Sequence, residues 1–243
     1  MMSAATSEKL REMNLLGVLA AYEEQLADPR LHDLSFEERF GLIVDREWTK
    51  RRNRRQLRLL KEARLRLQAA PEDIDLKVAR GLDRSVILSL IEGEWVRRQQ
   101  NVLIGGPTGV GKTFLACALG TAACRQGLSV RYHRVSRLLT DIAVARGDGS
   151  HPRLLNALAR VQLLILDDWG LDSLSDAQGR DLLDVIDDRL GRGSVLIASQ
   201  IPFDHWHGII KDPTIADALL DRLIHTAHMI AMKGESMRKQ LAP

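Results

Sequence analysis

Aromatic side chains are scarce, only 4% of the chain, so its 45% apolar content rests mainly on aliphatic residues. Cysteine is scarcer still. Cys117 and Cys124 stand seven apart in one helical stretch, about 10 Å along its axis, too far for a disulfide without unwinding. Reduced core thiols are expected. No apolar run approaches the roughly 20 residues that a membrane span requires. Glu8 and Glu12 occupy the stretch where a secretory signal would carry a cleavable apolar core. These absences point to a cytoplasmic protein with no membrane partner. His205 with His207, and His225 with His228, lack a third ligand at recognisable spacing, so hydrogen-bonding roles are expected of them rather than zinc binding. Charge of either sign is nearly balanced, at a net +3. Such an excess means little if spread evenly. It is not spread evenly.

What the chain does have is Asn101 to Thr113, NVLIGGPTGVGKT, in which Gly106, Gly111, Lys112 and Thr113 stand at the spacing G-x-x-x-x-G-K-S/T. Val102, Leu103 and Ile104 form an apolar strand before it, and Phe114 to Ala123 an Ala- and Leu-rich helix after it. In the loop Gly106, Pro107, Thr108, Gly109, Val110 and Gly111, the backbone N–H groups of all but the proline can then turn inward around phosphate oxygens at a helix N-terminus. Pro107 contributes shape rather than a donor. Lys112 would reach the β- and γ-phosphates and the Thr113 hydroxyl would ligate Mg²⁺, so ATP and Mg²⁺ are the expected cofactors.

N-terminal to the loop, Leu15, Val18, Leu19, Tyr22 and Leu26 mark an amphipathic helix ending before Asp28. Ser35 with Glu38 reads as a capping box opening a second helix, with Phe36, Phe40, Ile43 and Val44 as its buried face. Beyond Trp48, Arg51, Arg54, Arg55, Arg58, Lys61 and Arg66 share half of a helical wheel, with Leu57, Leu59, Leu60, Ala63 and Leu67 opposite. This is either a solvated face paired to acidic neighbours or a contact for a phosphate backbone or an acidic partner. Pro71 and Gly81 punctuate the passage onward. The expected organisation is a helical domain over 1–70, a linker with short helices over 71–100, and an ATPase domain over 101–243.

From Asn101 onward strand and helix patterns alternate, which predicts a parallel sheet between helices: strands at Ser129 to His133, Gln162 to Leu166, Ser194 to Ala198 and His228 to Met232. The third strand leads into Asp167 and Asp168, about fifty residues after the loop. Asp167 is expected to hold Mg²⁺ and Asp168 to orient or deprotonate the attacking water. The fourth strand ends at Ser199 and Gln200, either of which would lie beside the γ-phosphate if this strand runs between the first and third. Arg222 and Arg238 are isolated arginines in the last stretch, each read either as a surface cation or as an arginine meeting transition-state charge in a neighbouring subunit.

Taken together, GGPTGVGKT, LLILDDWG, ASQIPFDHW, ADALLDRLIHTAH, KGESMRK and the N-terminal FEERFGLIVDREW resemble the IstB-type transposition helper ATPases, relatives of the DnaC-type helicase loaders within the AAA+ class. The resemblance implies an AAA+ core, a small all-α N-terminal domain and no C-terminal lid. It implies an ATPase that assembles as a homo-oligomer with ATP on duplex DNA and hands a target site to its cognate transposase. Arg222 would be the arginine finger, Arg238 the sensor-two arginine, and Arg137, Arg146 and Arg153 DNA contacts on the paired helices after strand two. Many ring-forming ATPases carry Glu where Asp168 stands, which leaves its role as base less secure than the metal role of Asp167. A helicase loader, or a DNA scaffold with ATP as a structural ligand, are the alternatives.

Overall fold

The computed structural model describes residues 4–225 and 227–237. Two compact units divide it, Met1–Arg58 and Leu59–Pro243.

The first unit holds α1 (Ala4–Glu12), α2 (Leu16–Ala27) and most of α3 (Phe36–Ala63). The Ser35–Glu38 box forms as expected: Glu38 Oε2 accepts from the Ser35 N–H at 2.8 Å and Ser35 Oγ from the Glu38 N–H at 3.3 Å. The expected buried face does not form. Phe36 is 75% exposed and Phe40 55%, and Val44 is exposed as well. The reason is the amount of chain available: α3 has 28 residues, while α1 and α2 have 9 and 12. It is α2 that meets α3, at a polar point. Glu47, buried, accepts from the Gly17 and Val18 N–H groups at 2.7 and 3.2 Å, satisfying two of the orphan donors at the start of α2. Burial pushes this carboxyl up, but the Arg51 guanidinium and those two amides outweigh it and hold it below its ordinary range. A side chain at Gly17 would meet the Glu47 backbone at 2.7 Å, so the approach requires glycine.

The second unit is built on a five-stranded parallel sheet of β1 (Asn101–Gly105), β2 (Val130–Arg134), β3 (Leu163–Trp169), β4 (Ser194–Ser199) and β5 (Ala227–Ala231), in the order β2-β3-β4-β1-β5. Buried aliphatic residues alternate across it. Val102, Ile104, Ile165 and Leu196 face α6 (Lys112–Arg125), while Leu103, Leu164, Leu166 and Ile197 face the helices that follow β2, β3 and β4: α7 (Val135–Asp148), α8 (His151–Arg160), α9 (Asp176–Asp187) and α10 (Pro213–Ile224). Helices on both faces are what a parallel sheet needs to hide its two apolar surfaces. With few aromatics to spend, the chain places two at one point: Trp169 and Trp206, both 0% exposed, stack at 5.5 Å.

The stretch read as a linker is not loose. Leu59, Ala63, Ala69 and Ile74, with Ile87 and Leu90 of α4 (Arg84–Ile91) and Trp95 of the short α5 (Glu94–Arg97), pack into the core under α6. Apolar side chains at these positions share one buried cluster with α6 and the sheet, so this packing begins at Leu59 rather than beyond residue 70 or 100. Strand β3 also runs further than its apolar stretch suggested. Asp167 lies within it, in register with Arg134. Among the described residues no helix is long and apolar enough to cross a membrane.

Cys117 and Cys124 lie on α6, both fully buried. Burial pushes both thiols up, Cys124 to about 12. At pH 8 an aromatic disulfide reagent should therefore release no chromophore from the native protein and about two equivalents after unfolding. Rapid native labelling of either would show that α6 opens locally.

Candidate nucleotide site

Strand β1 ends at Gly105, and the chain turns through Gly106 to Gly111 into α6. The turn is pinned from both sides: the Gly106 N–H donates to Ser199 O at 3.2 Å, and the Met232 N–H to Gly105 O at 2.7 Å. Gly106 has φ +149 and packs directly on the Met232 carbonyl, which leaves no room for a Cβ. A cleft of about 560 Å³ opens above this turn, a volume suited to a nucleotide.

Lys112 Nζ lies folded over the loop, donating to Gly106 O and Pro107 O at 2.7 and 2.8 Å. It is half-buried. Burial pushes its pKa below the ordinary lysine value, with Asp167 and Asp168 pulling the other way. The next residue, Thr113, donates its hydroxyl to Asp167 Oδ2 at 2.8 Å, and Tyr132 OH donates to the same oxygen at 2.6 Å. Asp167 is 1% exposed. Burial and the adjacent carboxylate push the Tyr132 phenol far up, so it stays a neutral donor. Strand order explains the meeting of residues 54 apart: β4 lies between β1 and β3, so the tips of all three surround the loop. The hydroxyl and carboxylate form an all-oxygen pair beside the phosphate turn, the hard donor set Mg²⁺ prefers, and thus fit such an ion.

Asp168 is one of four described non-glycine residues with positive φ, at +59. This αL backbone, with its N–H on Asp167 Oδ1 at 2.9 Å, places the side chain in the cleft, where Arg66 Nη1 also lies 3.7 Å from Asp167 Oδ2. There Asp168 Oδ2 accepts from Arg134 Nε at 2.7 Å and lies 3.4 Å from Arg66 Nη1. Neither arginine was expected here. Arg66 was assigned to the basic helical face, but α3 stops at Ala63 and Arg64 turns left-handed at φ +52, which redirects Arg66 into the cleft. Arg134 carried a usable signal, since it closes a strand that neighbours β3.

The two γ-phosphate candidates part company. Ser199 is 0% exposed, and its hydroxyl donates to Trp169 O at 2.9 Å and accepts from the Ile201 N–H at 3.0 Å. Gln200 lines the cleft and accepts from Thr108 Oγ1 at 2.6 Å. Arg222 lies elsewhere. It closes α10 against Asp187 and Ala218 O, and its carbonyl accepts from Asn101 Nδ2 at 3.2 Å. Asn101 begins β1, so Arg222 sits about 16 Å from the loop, the length of a five-residue strand. Arg238 falls outside the described residues.

Of the DNA candidates, Arg51 pairs with Glu47 at 2.6 Å and Arg54 approaches Asn14 at 3.4 Å, while Arg55, Arg58 and Lys61 are exposed on α3. Arg137 pairs with Asp141 at 3.3 Å and Arg153 is exposed. Arg146 donates to the buried Asp181, so its charge is already matched within the fold. Among the described residues no group of three His, Cys, Asp or Glu side chains is placed to hold a metal.

A family model described as IstB-like ATP binding protein matches residues 8–242. A protein of Sinorhizobium fredii named for ATP binding in an insertion sequence is 48% identical over 239 residues, 98% of each chain. One named for the same role in insertion sequence IS1162 of Pseudomonas fluorescens is 49% identical over 203 residues, 83% of this chain and 88% of that one. Among solved structures, that of DnaI superposes with a TM-score of 0.58 at 18% identity, covering 72% of this chain and 93% of that chain.

Proposed function

Because this chain belongs to the IstB-like ATP-binding family and has the AAA+ fold, we propose that it hydrolyses ATP with Mg²⁺ while assembled on duplex DNA, as the helper of an insertion-sequence transposase. The observation that carries the hydrolytic part is the contact of Thr113 with Asp167 beside the folded Lys112. Bound there, Mg²⁺ would offset phosphate charge. The chain's own residues do the rest. Lys112 exchanges two neutral carbonyls for phosphate oxygens, a stronger charge-assisted contact. Gln200, already aimed across the cleft at Thr108, senses the γ-phosphate. Asp168 accepts the proton of the attacking water once Arg134 and Arg66 free its Oδ2.

Arg222 supports a shared site, since its distance from its own loop leaves a neighbouring subunit as the loop it would serve. Arg222→Ala should bind ATP and hydrolyse it slowly. Mixed with the inactive Lys112→Ala protein, it should regain part of its turnover, because some interfaces then join an intact loop to an intact arginine. Co-assembly without recovery would return Arg222 to its intramolecular role with Asp187.

DNA binding is supported by the exposed cations of α3. If about six cations meet phosphates, the logarithm of affinity for a random-sequence duplex should fall against log salt with a slope near −5. Arg55→Ala and Arg58→Ala should each flatten it by nearly one unit. An unchanged slope in both would assign this face to a protein partner, the transposase foremost.

A further inference from the structure

The cleft contains a cation that the proposed reaction does not use. Arg80 is 6% exposed, and its Nη2 donates to Asp75 O at 2.5 Å and its Nη1 to Val110 O at 3.3 Å. Nε has no partner. Among the described residues no carboxylate comes within ion-pair distance of it. The three nearest in sequence are engaged otherwise: the Asp83 carboxylate accepts from the Ser85 N–H at 2.7 Å, that of Asp75 from the Lys77 N–H at 2.8 Å, and that of Asp73 from the Ala70 N–H at 3.3 Å.

The position is held by the backbone on both sides. The Arg80 N–H donates to Val78 O at 2.8 Å, and Arg80 O accepts from the Lys233 N–H at 2.9 Å. Its guanidinium reaches the phosphate turn so closely that a Cβ on Gly111 would lie 2.9 Å from Nη1. A full charge buried with only two carbonyl acceptors is costly, because neutral dipoles replace hydration poorly. Arg189 makes the contrast. It too is buried with an unpartnered Nε, but it donates to three carbonyls, those of Leu158, Gln162 and Ser194, and it is not among the residues that line the nucleotide cleft.

We propose that Arg80 is a further nucleotide-binding residue, an uncompensated buried cation behind the phosphate turn whose counter-ion is the polyphosphate of the bound nucleotide. The proposal rests on the nucleotide reading of this cleft. It makes the site prefer polyphosphate over nucleoside before Lys112 moves, and it links the 73–81 segment to nucleotide occupancy.

Calorimetric titration of the full chain with ATP, and with adenosine in competition for the same site, tests it. Arg80→Gln should lose about 10- to 100-fold in ATP affinity, the range for a contact to a charged group. Adenosine affinity and the melting temperature without nucleotide should change little. Arg80→Lys keeps the charge but not the two-carbonyl grip, so it should recover part of the ATP preference. Unchanged ATP affinity in Arg80→Gln would overturn the proposal. So would parallel losses of ATP, adenosine and melting temperature that Arg80→Lys fails to repair, since those mark a structural clamp. Absence of ATP binding by the unsubstituted chain is a different result, and it would remove the reading of the cleft together with the proposal.

Discussion

Lys112→Ala should lower ATP affinity by about 100-fold, the upper range for losing a charge-assisted contact in a partly desolvated site. The apo protein should keep its melting temperature. In the structure the ammonium is half-buried on two carbonyls, and its lowered pKa says that burial already disfavours the charge. Removing it takes away a cost as well as two hydrogen bonds. Binding and stability therefore separate in this variant, whereas a general disruption of the loop would lower both. Calorimetric titration with ATP and a thermal melt without it read the two quantities. Undiminished affinity would deny the loop its phosphate role.

Asp168→Asn should bind ATP nearly as the unsubstituted chain does and lose about 100- to 10,000-fold in turnover, the range for removing a general base. Asparagine suits the test. It is isosteric and tolerates the αL backbone that Asp168 adopts at φ +59, so the fold should survive. Asn also weakens the grip of Arg134 and Arg66, which freed arginines could strengthen ATP binding slightly. Asp167→Asn should behave differently. Its Oδ2 receives two hydroxyls, from Thr113 and Tyr132, and the loss of charge there should appear as a weaker dependence of binding on Mg²⁺. Normal turnover in Asp168→Asn would leave Asp167 as the only working acid.

Two further residues show how far reading along the chain can go. Ser199 and Gln200 are adjacent, polar and at the tip of one strand, and nothing local separates them. Only the packing of Trp169 and Ile201 around the serine hydroxyl does so, leaving Gln200 in the cleft. Arg66 was misassigned for a related reason. A helical wheel assumes that the helix continues, and the left-handed turn at Arg64 is not visible in the charge pattern.

Local rules determined the phosphate turn, because the glycines, Lys112 and Thr113 act within one octapeptide. They determined the capping box at Ser35 and the alternation of buried strands with helices for the same reason: each depends on neighbours a few residues away. Tertiary structure alone decided what depends on distant chain. Strand order brought Thr113 to Asp167 and Arg134 to Asp168. The limited length of α1 and α2 left Phe36 and Phe40 exposed, and the carboxylate of Glu47 closed the start of a helix thirty residues earlier. Arg80 belongs to this second group as well. Its charge could be read at once, but its lack of a counter-ion exists only where the 73–81 segment crosses beneath the loop, since burial and pairing are properties of space rather than of order along the chain.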